Sequence, residues 1–119
     1  MLEIKKLGKR GEEIACEYLL KNKYKIIARN YKKGYQELDI IAQKNKEPVF
    51  VEVKTRLENK ESLFENPLSA RQVKNLKIAI LNYAHDNKLN LEKIHLDLIF
   101  ILVDKNKKTA DLKHYRDIF

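Results

Sequence analysis

Residues 36–56 read QELDIIAQKNKEPVFVEVKTR, and the fold follows from how that stretch is read. From Gln36 to Gln43 the side chains alternate: Glu37, Asp39 and Ile41 point one way, Leu38, Ile40 and Ala42 the other. From Pro48 to Arg56 they alternate again, with Val49, Val51 and Val53 on one face and Phe50, Glu52 and Lys54 on the other. A period of two rich in β-branched residues predicts strands. Lys44-Asn45-Lys46-Glu47 is a polar break of ordinary hairpin length, so the two runs should pair antiparallel. Closed symmetrically, the hairpin sets Gln43 opposite Pro48, Asp39 opposite Glu52 and Glu37 opposite Lys54. Directly opposed residues have Cβ atoms roughly 4.5–5.5 Å apart, a distance at which two carboxylates repel. A cation between them turns that cost into a binding site, and Lys54 lies one pleat further on the same face. A bulge or a slip would change the register. The shared facing of Asp39, Glu52 and Lys54 survives any slip that keeps the apolar faces buried.

The flanking segments supply the rest of an α/β architecture. Leu2 to Asn22 reads as an amphipathic helix with Leu7, Gly11, Ile14, Ala15 and Tyr18 on one face. Glu13 and Glu17 fall on its solvated side. Glu12 sits on the stripe Gly8, Glu12, Ala15, Leu19, which borders the apolar face. It is either a boundary residue paired with a lysine or a group turned toward the domain. Gly8 and Gly11 each weaken a helix by about 1 kcal/mol relative to alanine, so both predict close backbone approach to a neighbour. Lys23 to Tyr31 reads as a strand with Tyr24, Ile26 and Ala28 on one face, followed by a turn at Lys32-Lys33-Gly34. Residues 57–67 read as a long surface loop. Ser69 and Gln72 fit a capping box that opens a second helix, whose core face is Val73, Leu76, Ile80, Leu81 and Ala84. Lys74 lies at the edge of that face and Lys77 near its middle, and, read structurally, both snorkel from buried stems. Asp86-Asn87-Lys88 ends the helix. The run IHLDLIFILV, Ile94 to Val103, suits a strand buried on both faces, and Asp111 to Tyr115 a short edge strand. A mixed sheet flanked by helices, in the order α-β-β-β-α-β(-β), is the expected fold.

The 119 residues show no repeat and no boundary, so residues 1–119 read as one domain. No apolar run approaches the roughly 20 residues a membrane span needs, and the N-terminal segment is charged rather than leader-like. Cys16 is the single cysteine, which excludes an internal disulfide and a cysteine-based zinc site. A cytoplasmic protein with no membrane partner is the simplest expectation. The formal net charge is +8. That excess either favours a polyanionic partner, nucleic acid above all, or is the general lysine richness of some proteomes.

Asp39 with Glu52-x-Lys54 on adjacent strands answers a specific chemical need. Phosphodiester hydrolysis uses a metal to polarise phosphate oxygens and to lower the pKa of a bound water. Mg²⁺ prefers oxygen ligands and keeps several waters, so two carboxylates and the Val53 carbonyl suffice, and Mn²⁺ would serve the same set. Lys54 would orient the attacking water or neutralise charge developing on the phosphate. Glu12 would hold a second metal or an outer-sphere water. The competing reading is structural: an interstrand charge network that staples Glu37 to Lys54.

The segments KRGEEIACEYL, IIARNY, QELDIIA and FVEVKTR, with Lys74 and Lys77 on the second helix, resemble the YraN family of small bacterial proteins. The resemblance runs from about Leu7 to Phe100. It implies a restriction-endonuclease-like fold, similar to that of archaeal Holliday-junction resolvases, and the PD-(D/E)xK nuclease signature. Carried over by motif, it marks Glu12, Asp39, Glu52 and Lys54 as the nuclease set, with Asp39, Glu52 and Glu12 toward metal. Glu37 matches the acidic residue of the family's Gly-Glu-Ile/Leu-Asp motif. Gln36 stands where that family usually has glycine, and His95 where an arginine is common. The implied activity is Mg²⁺- or Mn²⁺-dependent cleavage of DNA, branched or single-stranded, in repair or recombination. The alternative is a non-catalytic nucleic-acid-binding or adaptor protein on the same fold. Lys9, Arg10, Arg56, Lys74 and Lys77 are the candidate nucleic-acid contacts. Related resolvases act on two-fold symmetric junctions as dimers, so a homodimer is expected.

Overall fold

Helix α1 (Leu2–Lys21) leads into strands β1 (Lys25–Lys33), β2 (Gln36–Lys44) and β3 (Glu47–Leu57). Helix α2 (Ala70–Asp86), a 3-10 turn at Leu91–Lys93, and strands β4 (His95–Asp104) and β5 (Thr109–Tyr115) complete the chain. The computed structural model describes residues 2–57, 68–104 and 106–118, with only the backbone for residues 2–5. The loop expected over residues 57–67 therefore lies, apart from Leu57, outside the described residues.

The order α-β-β-β-α-β-β is the one the sequence predicts, and the sheet is mixed. Its strands lie in sequence order, β1-β2-β3-β4-β5. Neighbours are antiparallel except β3 and β4, which run parallel from Val49↔His95 to Leu57↔Val103 because α2 carries the chain back across the sheet. Each sheet face is covered by one helix. On the first, Ala15, Cys16 and Leu19 of α1 pack on Val49, Val51, Val53, Ile99 and Ile101. On the second, Leu76, Ala79 and Ile80 of α2 pack on Phe50, Leu96 and Leu98. β4 is thus buried on both sides, as its continuous apolar run requires.

The helix ends are determined locally. Ser69 and Gln72 close the capping box: Ser69 Oγ accepts from Gln72 N, and Gln72 Oε1 accepts from Ser69 N. At the other ends, Lys23 (φ 68°) and Lys88 (φ 54°) take the left-handed position usually given to glycine. Tyr24 N then donates to Leu19 O, and Leu89 N to Ala84 O.

Several local expectations need correction. The β2–β3 hairpin turns on Asn45 (φ 51°) and Lys46 (φ 65°) alone, with Lys44 and Glu47 as the last ladder pair. Positive φ at both central residues matches the right-handed strand twist, so the shorter turn is favoured, and its symmetric closure keeps the expected register. Gly11 does approach β3: a Cβ there would lie 1.9 Å from Thr55 Oγ1. Gly8 meets nothing within 4 Å, so close approach does not explain it. On α2, Leu81 is 51% exposed and Ala79 takes its place in the core, while Lys74 and Lys77 are exposed.

The strict alternation expected of β1 and β2 also breaks. The β1–β2 register shifts between Ile26 and Ala28, leaving Ile27 exposed and sending Ile26 toward α1 but Ala28 toward α2. A second break centres on Asn30, whose φ is 52°. Ala28 and Tyr31 of β1, and Leu38 and Ile41 of β2, all pack on the α2 side although each pair is three residues apart. A left-handed residue rotates the pleat, and the paired strand follows. The break falls on β2 at Asp39.

Candidate active site

β2 and β3 are laddered from Lys44↔Glu47 only as far as Ile40↔Val51. One step further the backbone ladder ends, and Val53 N donates to Asp39 Oδ2 at 2.9 Å. A side chain has taken the place of a strand carbonyl. This fixes the Asp39 carboxylate between the strands and aims it at Glu52, the residue that the register sets opposite. The two carboxyl groups are close enough to act on each other's protonation. Burial, first, and then the hydrogen bond and charge of Asp39 push the Glu52 carboxyl up to about 9, while Lys54 and the Val53 N–H offset part of that rise. At neutral pH the pair therefore holds a proton where a cation would serve.

The pair opens into a cleft of about 370 Å³ whose walls include Glu12, Glu37, Asp39, Glu52, Lys54 and Arg56. α1 supplies Glu12 because the Gly11–Thr55 contact draws the helix onto β3. Burial raises the Glu12 carboxyl, as does the charge of Asp39, and the Asn30 side chain partly counters both. The expected nuclease set of Glu12, Asp39, Glu52 and Lys54 is therefore brought to one cleft. Among the described residues Glu37 and Lys54 form no ion pair, so the stapled charge network is not what holds the strands.

The predicted nucleic-acid contacts divide. Arg56 lines the cleft. Arg10 instead pairs with Glu13 at 3.2 Å and Glu17 at 4.0 Å on the solvent side of α1. Lys9, Lys74 and Lys77 are exposed and outside the cleft walls.

The donor set suits a hard divalent cation: two carboxylates on adjacent strands, the lower-cost state of which at present requires a proton. Asp39, Glu52 and the Val53 carbonyl are the groups that would hold Mg²⁺ or Mn²⁺. Among the described residues no three His, Cys, Asp or Glu side chains form a ready-made metal cage. Glu12 lines the same cleft as Asp39 and Glu52.

A second polar cluster was not legible in the sequence. The three histidines have no metal-ligand spacing in the sequence, yet the His114 side chain is 5% exposed. Its Nε2 lies 2.7 Å from Asp97 Oδ2, and its Nδ1 lies 2.9 Å from the Tyr18 hydroxyl. Asp97 Oδ1 also accepts from Asp117 N at 3.0 Å. With Asp97 ionised, Nε2–H donates to it and Nδ1 accepts from Tyr18. The cluster ties α1, β4 and β5 together on the α1 face, in register with Val51 and Val53 of β3. The one available signal was Asp97 inside an apolar run, since a buried carboxylate demands partners.

Fold and site together define an α/β protein with a carboxylate–lysine centre where two strands part. The chain belongs to the family described as "Uncharacterised protein family UPF0102", whose model matches residues 11–101, and this is the YraN family that its motifs resemble. A UPF0102 protein of Syntrophomonas wolfei subsp. wolfei is 39% identical over 103 residues, covering 87% of this chain and 90% of that protein. A UPF0102 protein of Christiangramia forsetii is 36% identical over 122 residues, covering 100% and 98%. Among solved structures, Pyrococcus furiosus SfsA in complex with Ca²⁺ aligns with a TM-score of 0.44 and 16% identity. That alignment covers 90% of this chain, which spans 63% of the SfsA chain. Among the described residues no helix is long and apolar enough to cross a membrane.

Proposed function

We propose that this protein is a divalent-metal-dependent nuclease that hydrolyses phosphodiester bonds in DNA. The observation that carries the reading is the convergence of Asp39 and Glu52 on one cleft with Lys54 and Arg56, in a chain with net charge +8. A carboxyl pair held partly out of water is costly, and such perturbed groups cluster at functional sites. Bound there, Mg²⁺ or Mn²⁺ would act as a Lewis acid on a phosphate oxygen and acidify a water. This chain's residues do the rest. Val53 N–H holds Asp39 in orientation. Lys54 places an ammonium beside the phosphate, where negative charge develops in the transition state. Glu12, with its raised carboxyl, is set to exchange a proton with a water in the cleft. Arg56 offers a phosphate contact at the rim.

A second reading has its own support. A non-catalytic nucleic-acid-binding module would use the net charge of +8 and the exposed Lys9, Lys74 and Lys77 outside the cleft. The two part on one experiment. Branched, duplex and single-stranded DNA are incubated with the protein and Mn²⁺, beside Asp39→Ala and Lys54→Ala. Cleavage that falls at least 100-fold in both variants supports the nuclease. Salt-dependent binding without cleavage, equal in all variants, supports the module.

A further inference from the structure

Glu37 and Glu52 are walls of two clefts. Beyond the one described, they border a second of about 430 Å³ on the α2 side, whose rim is Tyr35. Tyr35 sits with Gly34 (φ 61°) at the tip of the β1–β2 hairpin, and its side chain is fully exposed, at 109% of the reference area. A phenol ring held entirely in water has no packing role in the fold. Across from it, Leu76 and Ile78 of α2 give an apolar wall.

The polar groups between are fixed. Gln36 Oε1 accepts from Asn82 Nδ2 at 3.0 Å, and Gln72 Oε1 accepts from Ser69 N at 2.9 Å. Each amide thus has its oxygen engaged and its NH₂ left to donate. Asn75 adds an amide with both functions. The pocket therefore combines an aromatic plate, an apolar wall and oriented amide donors, beside the carboxyl pair.

We propose that this second cleft is a subsite for an unpaired nucleobase, with Tyr35 stacking on its face and Gln36, Gln72 and Asn75 reading its edge. The inference rests on the phosphodiester reading of the carboxyl pair, since a strand crossing Glu37 and Glu52 sets its phosphate at one cleft and a neighbouring base in the other. The volume is at the small end of ligand pockets, suited to one nucleotide and not to a duplex. Bases inside a duplex have both faces covered by their neighbours, so only an unstacked base offers a face to Tyr35. The substrate class follows: single strands, or the unpaired positions of branched DNA.

The test is binding without metal, in EDTA, so that hydrolysis plays no part. The probes are a short single strand carrying 2-aminopurine, whose fluorescence stacking quenches, and the matched blunt duplex. Wild type should quench the single strand. Tyr35→Ala should weaken single-strand binding roughly 5- to 100-fold, from the range measured for base–aromatic stacking, and abolish the quench. Tyr35→Phe should keep both within about twofold, and duplex binding should change in neither variant. Equal losses for single strand and duplex, no loss in Tyr35→Ala, or no quench by wild type each overturn the proposal. The nuclease reading fails separately, by absence of Mn²⁺-dependent cleavage, which leaves quenching in EDTA untouched.

Discussion

Replacing Glu52 by glutamine should make this protein more stable and, under the nuclease reading, abolish cleavage. Glu52 is ordinarily a carboxyl of pKa 4.5, but burial and Asp39 push it up to about 9 in the fold. Between those values the folded state holds a proton that the unfolded chain releases. The stability associated with that proton is fully present below pH 4.5 and is lost progressively as pH rises toward 9. The slope is about 1.4 kcal/mol per pH unit. From 4.5 to neutrality this amounts to about 3 kcal/mol. Glutamine keeps the shape and a donor toward Asp39 without the titration. Glu52→Gln should therefore gain up to about 3 kcal/mol at pH 7, roughly 10 °C in melting temperature for a domain of this size. It should also flatten stability across pH 5 to 8. The assay is thermal melting of both proteins over that range in EDTA, then again with Mn²⁺. Under the nuclease reading wild type regains stability with metal, by about 2.7 kcal/mol at a hundredfold excess over the dissociation constant, and the variant does not. A variant less stable than wild type at pH 8, or parallel pH slopes in the two proteins, would refute the reasoning.

The remaining expectations test the frame around the site. Gly11→Ala puts a methyl 1.9 Å from Thr55 Oγ1 and should cost roughly 1–3 kcal/mol by overpacking, measured by denaturant melts. Gly8→Ala, in open space, should instead gain about 0.5–1 kcal/mol. His114→Leu leaves the buried Asp97 carboxylate without its imidazole and should cost about 3–5 kcal/mol in denaturant melts. His95 is raised above 6.5 by Asp117 and then Glu47. Its contribution is present below pH 6.5 and lost as pH rises through the raised value, so Asp117→Asn should destabilise at pH 6 and change little at pH 9.

Sequence alone determined which elements form and in what order, because each rule involved is local. Valine alternation marks β3, the Ser69–Gln72 box starts α2, and the unbroken run in β4 requires cover on both faces. It also placed Asp39 opposite Glu52, since a hairpin's register follows from its turn and its buried face. The tertiary structure decided what periodicity cannot carry. Asn30 in the left-handed region rotates β1 and β2 together, so Leu38 left its expected face and Asp39 came to a point where the ladder stops. The approach of Gly11 to Thr55 brought Glu12 to the cleft, whereas Gly8, identical in sequence terms, meets nothing. Tyr18 and His114, 96 residues apart, meet, and His114 in turn holds Asp97, only because α1 packs on the sheet face that β4 and β5 present. Burial and distance between remote residues set these charges and contacts, and neither quantity exists until the chain has folded.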